Sequence, residues 1–170
     1  MRLPALFCLT LLALVLTGCS SYTLGPTNGD AAGEKSVQVS PFANQTLEPH
    51  LTDAVTTEIR KRLQQDGTCR LDTHNNGDII LTGVITRYDH QEISAQPGDI
   101  LTVQDYRLEL TAQVTAHSRA TGKVIFERSV SGYATMRVGS DLVSAERQTM
   151  PVLAQDLAKN VVALLAEGTW

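Results

Sequence analysis

"YRLELTAQVTAH", residues 106–117, alternates without a break: Leu108, Leu110, Ala112, Val114 and Ala116 fall on one side, and Arg107, Glu109, Thr111, Gln113, Thr115 and His117 on the other. Successive side chains of a strand point to opposite faces of the sheet, so this stretch predicts a strand buried on one face only. Such a sheet needs an apolar layer over its buried side, and the flanking sequence supplies one.

On the C-terminal side, "SRATG" (118–122) reads as a tight turn into "KVIFERSVSGYATMRVG" (123–139), which predicts an antiparallel hairpin. In that second strand Val124, Phe126, Val130, Ala134 and Met136 share one parity with Arg128, so Arg128 marks either a register break or a paired charge. On the N-terminal side, "DIILTGVITRYD" (78–89) is β-branched, and Gly83 inside it signals a bulge or a close backbone approach. The polar stretch "HQEISAQPGDILTVQD" (90–105) between these strands either extends the hairpin or rearranges on a partner. A first strand is predicted in "KSVQVSPF" (35–42), where Val37 and Val39 alternate with Gln38 and Pro41 blocks continuation.

Two helices complete the layer. In "NQTLEPHLTDAVTTEIRKRLQQDG" (44–67), Leu47, Leu51, Val55, Ile59 and Leu63 recur every four residues as one apolar stripe flanked by Ala54 and Arg62. Thr46 or Glu48 is expected to cap it, Pro49 to fit its first turn and Gly67 to end it, with Arg60, Lys61 and Arg62 complementing the dipole in the last turns. "SDLVSAERQTMPVLAQDLAKNVVALLAEG" (140–168) carries the stripe Leu153, Leu157, Val161, Leu164 and Leu165; Pro151 either begins this helix or kinks a longer one starting near Ser140 or Asp141. The order β-α-β-β-β-α predicts an α+β fold: a mixed four-stranded sheet with both helices on one face, as a single α/β sandwich domain over residues 35–170, the other sheet face being left polar or covered by something else.

The first 34 residues read differently. Leu3 to Leu16 is apolar except for Pro4 and Thr10, follows the positive Arg2, and spans only about 21 Å as a helix, short of the ~20 residues that cross a bilayer. This is a signal-peptide core, giving a leader over 1–18. It ends in Leu16-Thr17-Gly18-Cys19, which is similar to a bacterial lipobox, so Cys19 is expected to become the acylated first residue of the mature chain. Two acyl chains suffice for stable anchoring, at ~0.8 kcal/mol per buried methylene. "SSYTLGPTNGDAAGE" (20–34) is Gly/Ser/Asn-rich and reads as a flexible tether, so 19–34 forms the lipidated N-terminus.

Cleavage removes Arg2 and Cys8, leaving 13 basic against 18 acidic residues and a net charge near −5. Bulk charge of that sign argues against nucleic acid as a partner. With Cys19 acylated, Cys69 is left as the one thiol and no intramolecular disulfide can form. The mature chain holds no phosphate-binding Gly-rich loop, no nucleophile elbow and no paired-cysteine motif, and His50, His74, His90 and His117 are scattered. Asp72, His74 and Asp78 are better explained by turn formation than by a metal, and Cys69 with His74 lacks a third group to orient a base. No enzyme and no cofactor beyond the acyl chains on Cys19 are expected.

The lipobox with "YTLGP", then "SVQVSPFANQTLEPHLTDAVTTEIRKRLQQDGTCRL", "ILTGVITRYD", "YRLELTAQVTA", "TGKVIFERSVSGYAT" and "SAERQTMPVLAQDLAKNVVALLAEG", together resemble the lipopolysaccharide-assembly (LptE-like) lipoproteins over nearly all of the chain from Cys19 to Trp170. The resemblance implies an outer-membrane lipoprotein on the periplasmic face that fills a large β-barrel translocon as a plug, helps it assemble and passes lipopolysaccharide to the surface. Ser20 after Cys19 agrees with outer-membrane sorting. Basic residues of that family contact lipopolysaccharide phosphates; Arg87, Arg107, Arg128 and Arg137 are candidates by their strand positions alone. "VQVSPFANQT" also resembles the opening of lipoproteins that regulate a peptidoglycan synthase or build secretion pores, which is the alternative expectation.

Overall fold

The structure is a computed structural model that describes residues 33–96, 99–138 and 141–167. The leader, Cys19 and most of the expected tether lie outside the described residues.

Strands β1 (Ser36–Val39) and β2 (Ala43–Asn44) precede helix α1 (Leu51–Asp66), followed by β3 (Arg70–Asp72), β4 (Ile79–Gln96), β5 (Asp99–Ser118), β6 (Val124–Arg137) and helix α2 (Leu142–Glu167). They form one mixed sheet in the order β3-β1-β4-β5-β6, with β2 beside β4. β1 runs parallel to β3 and β4, and β4, β5 and β6 form an antiparallel meander. The α+β class is as the sequence predicts, but the sheet has six strands where four were expected. β2 and β3 have two and three residues, too few to show a period.

The alternation of β5 holds in full: Leu108, Leu110, Ala112, Val114 and Ala116 are all completely buried. Both helices cover that side, α1 through Leu51, Val55, Ile59 and Leu63 and α2 through Leu153, Leu157, Val161 and Leu165. Gly83 marks a close approach, because a Cβ there would overlap the ring of buried Phe42. The bulge lies three residues on, where Ile85 pairs with Ala112 but Arg87 pairs with Thr111, leaving Thr86 extra. That one residue reverses the parity of β4, so Tyr88 and His90, opposite Leu110 and Leu108, join the helix-covered side.

Pro41 interrupts the edge as its missing N–H requires. Pairing with β4 breaks after β1 and resumes at β2, while the Phe42 amide donates to Thr56 Oγ1 of α1 at 3.1 Å. The helix then starts later than its stripe suggests. Leu47 is wholly exposed and lies outside α1, and Pro49 precedes the first turn. Asn44 Oδ1 accepts from Thr46 N and its amide donates to Glu48 O, which diverts the chain, and Pro49 disfavours helical geometry at Glu48. Neither Thr46 nor Glu48 caps α1; His50 enters it in a left-handed conformation with no side-chain cap. Gly67 ends it as expected, donating to Leu63 O. No basic residue stands in its last turn; Arg60 instead donates to Val39 O at 2.8 Å, tying α1 to β1.

α2 is the longer of the two alternatives. Asp141 caps it, accepting from Val143 N and Ser144 N, and Pro151 sits inside it. Asp78, just before β4, accepts from both the amide and the hydroxyl of buried Ser36 at 2.9 and 2.6 Å, and these bonds hold its carboxyl below the usual carboxylate range. Of the two alternatives for the polar stretch between β4 and β5, it extends the hairpin, with its pairing continuing to Gln96 and Asp99. At about 3.3 Å per residue, β5 extends for some 60 Å, and the ribbon outruns β6, which ends with Arg137 opposite Asp105.

Candidate functional site

Among the described residues nothing covers the sheet face away from the helices, and its side chains are mostly polar, with Ile80, Val84 and Val124 as apolar exceptions. Across β5 and β6, Thr111 Oγ1 meets Ser131 Oγ at 2.8 Å, Gln113 donates to Glu127 at 3.1 Å, and Tyr133 donates to Glu109 at 3.3 Å. Arg137 makes a two-pronged contact with Asp105 at 2.8 and 3.3 Å, which favours its charged form further. Cross-strand pairs of this kind satisfy one another without burying apolar area, so the face is shaped by its own hydrogen bonds and remains wettable.

Three of the four arginines picked out in the sequence share this face. Arg107 on β5 stands opposite Thr135 and Gln91, and lines a shallow cleft of about 400 Å³ with Tyr133, Ala134 and Thr135. Arg137 is its diagonal neighbour on β6, about 7–8 Å away between Cα atoms. Arg87 on β4 is opposite Thr111, about 13 Å farther along the sheet, and is ion-paired with Asp89. Arg128 is separate: it lies on the helix-side row of β6 opposite Val114 and is exposed there. The register runs unbroken past it and shifts only between Ala116 and His117, so Arg128 marks no register break. It keeps its charge in water at the sheet edge.

A second polar cluster was missed in the sequence. Tyr88 Oη donates to Glu146 Oε1 at 2.5 Å, and His90 Nε2 lies 3.1 Å from the same oxygen, joining β4 to the start of α2 across 58 and 56 residues. Burial, then the hydrogen bond and charge of Glu146, push the Tyr88 phenol far above its usual range, so it stays protonated and donates to Glu146. The His90 ring meets Tyr88 and Tyr106 edge-on, at 4.9 and 6.4 Å between centroids. The bulge at Thr86 creates this cluster, and no residue type in the sequence announces it.

Among the described residues no group of His, Cys, Asp and Glu could hold a metal. Cys69 is buried. Asp72 Oδ2 accepts from Asn76 N at 2.7 Å, closing a turn. No described helix is long and apolar enough to cross a membrane.

The fold defines the class as a two-layer α+β domain whose mixed sheet has one face covered by both helices and the other bare among the described residues. Residues 34–165 match the profile of the lipopolysaccharide-assembly family, LptE, and the chain belongs to that family. It is a lipoprotein of lipopolysaccharide assembly. No curated protein sequence matches. Among solved structures, the chain is similar to the hypothetical protein CT253 from Chlamydia trachomatis (TM-score 0.58, 15% identity, 80% of this chain and 96% of that one). It is also similar to the protein XCC0632 from Xanthomonas campestris (0.58, 11%, 84% and 94%) and to a minor lipoprotein from Acinetobacter baumannii (0.52, 17%, 78% and 92%). At these identities the likeness is one of fold.

Proposed function

We propose that this lipoprotein, anchored through acyl chains on Cys19 in the periplasmic face of the outer membrane, plugs a large β-barrel and helps it assemble as the translocon that delivers lipopolysaccharide to the cell surface. The family match over residues 34–165 carries this reading. The shape of the domain supports it: the interior of a large barrel is wet and polar, and a sheet with one face sealed by helices and the other a lattice of Thr, Gln, Glu and Arg side chains suits such a lumen.

Arg107 and Arg137, adjacent on that face, are the first candidates for contact with lipopolysaccharide phosphates, and Arg87 is the third. Arg128, on the opposite side, fits that role poorly. Depletion of the protein with assay of surface lipopolysaccharide tests the function: a fall at the surface with accumulation in the periplasm is expected, whereas unchanged surface lipopolysaccharide would contradict it.

A further inference from the structure

α2 is divided by Pro151. Leu153, Ala154, Leu157, Ala158, Val161, Val162 and Leu165 beyond it are buried, while no residue from Leu142 to Met150 is. Pro151 has no N–H, so the helical hydrogen bond it would make to the carbonyl of Arg147 is missing at that junction. The N-terminal arm therefore has no fully buried side chain of its own and joins the buried half through a turn that lacks one helical hydrogen bond.

What holds it is mainly polar. Glu146 accepts from Tyr88 at 2.5 Å and lies 3.1 Å from His90, and Ala145 and Met150 pack at the margin of the core. Two clefts run along the arm on either side. One, of about 520 Å³, lies against Thr135 and Arg137 of β6; the other, of about 340 Å³, lies against Glu48, Pro49 and His50. Leu142 and Val143 on the arm are exposed.

We propose that residues 142–150 form a strap that opens as a unit about Pro151, latched by Glu146 to Tyr88 and His90, while residues 153–165 stay packed on the sheet. Closed, the strap separates the two clefts; open, it merges them into one groove at the hairpin end of the domain. Segments with few buried contacts and exposed hydrogen bonds open at a lower free energy than the core, and here a single carboxylate carries much of the closure. The inference is independent of the proposed barrel partner.

Hydrogen exchange of the full-length lipidated protein in detergent micelles tests this. Amides of 142–150 are expected to exchange at least about a hundredfold faster than those of 153–165. Glu146→Ala should speed the strap by about tenfold more and leave 153–165 unchanged, since it removes the acceptor shared by Tyr88 and His90. Tyr88→Phe, which keeps the ring, should act in the same direction, and Pro151→Ala should slow the strap by restoring its missing bond. Equal exchange in both halves of α2, or acceleration of both together by Glu146→Ala and Tyr88→Phe, would overturn the proposal.

Discussion

Gly132 of β6 and Leu157 of α2 meet backbone to backbone: a Cβ on Gly132 would stand 2.5 Å from the Leu157 amide nitrogen and 2.8 Å from its Cβ. The contact lets α2 cross the outer strand closely enough for its side chains to reach the strand edge. Asp156 accepts from Tyr133 N at 3.0 Å and Asn160 donates to Ser131 O at 2.8 Å, covering edge groups that would otherwise invite another strand. Gly132→Ala must displace main chain, and a loss of about 1–3 kcal/mol is expected in urea unfolding. An unchanged midpoint would show that α2 can shift freely.

The two faces of β5 should respond oppositely to truncation. Leu110→Ala, at a fully buried position, is expected to cost about 2–5 kcal/mol. Gln113→Ala on the open face should stay within about 0.5 kcal/mol, because its bond to Glu127 is exposed. Thermal denaturation of the two variants side by side checks this.

Acid should weaken the junction of β1 and β4. Asp78 has a folded-state pKa held below its unfolded value by the Ser36 bonds, so its contribution is present above the ordinary carboxylate pKa and is lost as pH falls through the lower, folded one. Stability measured from pH 5 down to pH 2 should therefore fall less steeply in Asp78→Asn than in the native chain, the variant starting from lower stability at pH 5. Parallel curves would rule Asp78 out.

Charge reversal separates the arginines. Arg107→Glu, on the open face, is expected to impair surface delivery of lipopolysaccharide while leaving the melting temperature nearly unchanged. Arg128→Glu, on the other side, should affect neither. Equal impairment by both would remove the open face from the account.

The fold was legible where one period ran long enough. Twelve residues of unbroken alternation from Tyr106 to His117 set the buried face, and the stripes from Leu51 to Leu63 and Leu153 to Leu165 set both helices. The start of α1 was not, because Leu47 continues the stripe while the side chain of Asn44 and the ring of Pro49 hold the backbone out of the helix. The Tyr88, His90 and Glu146 cluster was hidden for a different reason. It depends on one extra residue at Thr86, and a bulge has no composition of its own. Of the arginines, alternation put Arg107 on the polar side of β5 and Arg128 in the row of Val130 and Met136, and the register agrees, whereas the face of Arg87 depends on the extra residue at Thr86.

On the proposed function, this lipoprotein works inside a barrel. Affinity purification of the tagged, full-length protein from a detergent-solubilised envelope, with its partner identified by mass spectrometry, tests it most directly. A large outer-membrane β-barrel recovered in stoichiometric amount is the predicted result; a peptidoglycan synthase, or a ring of this chain alone, would contradict it.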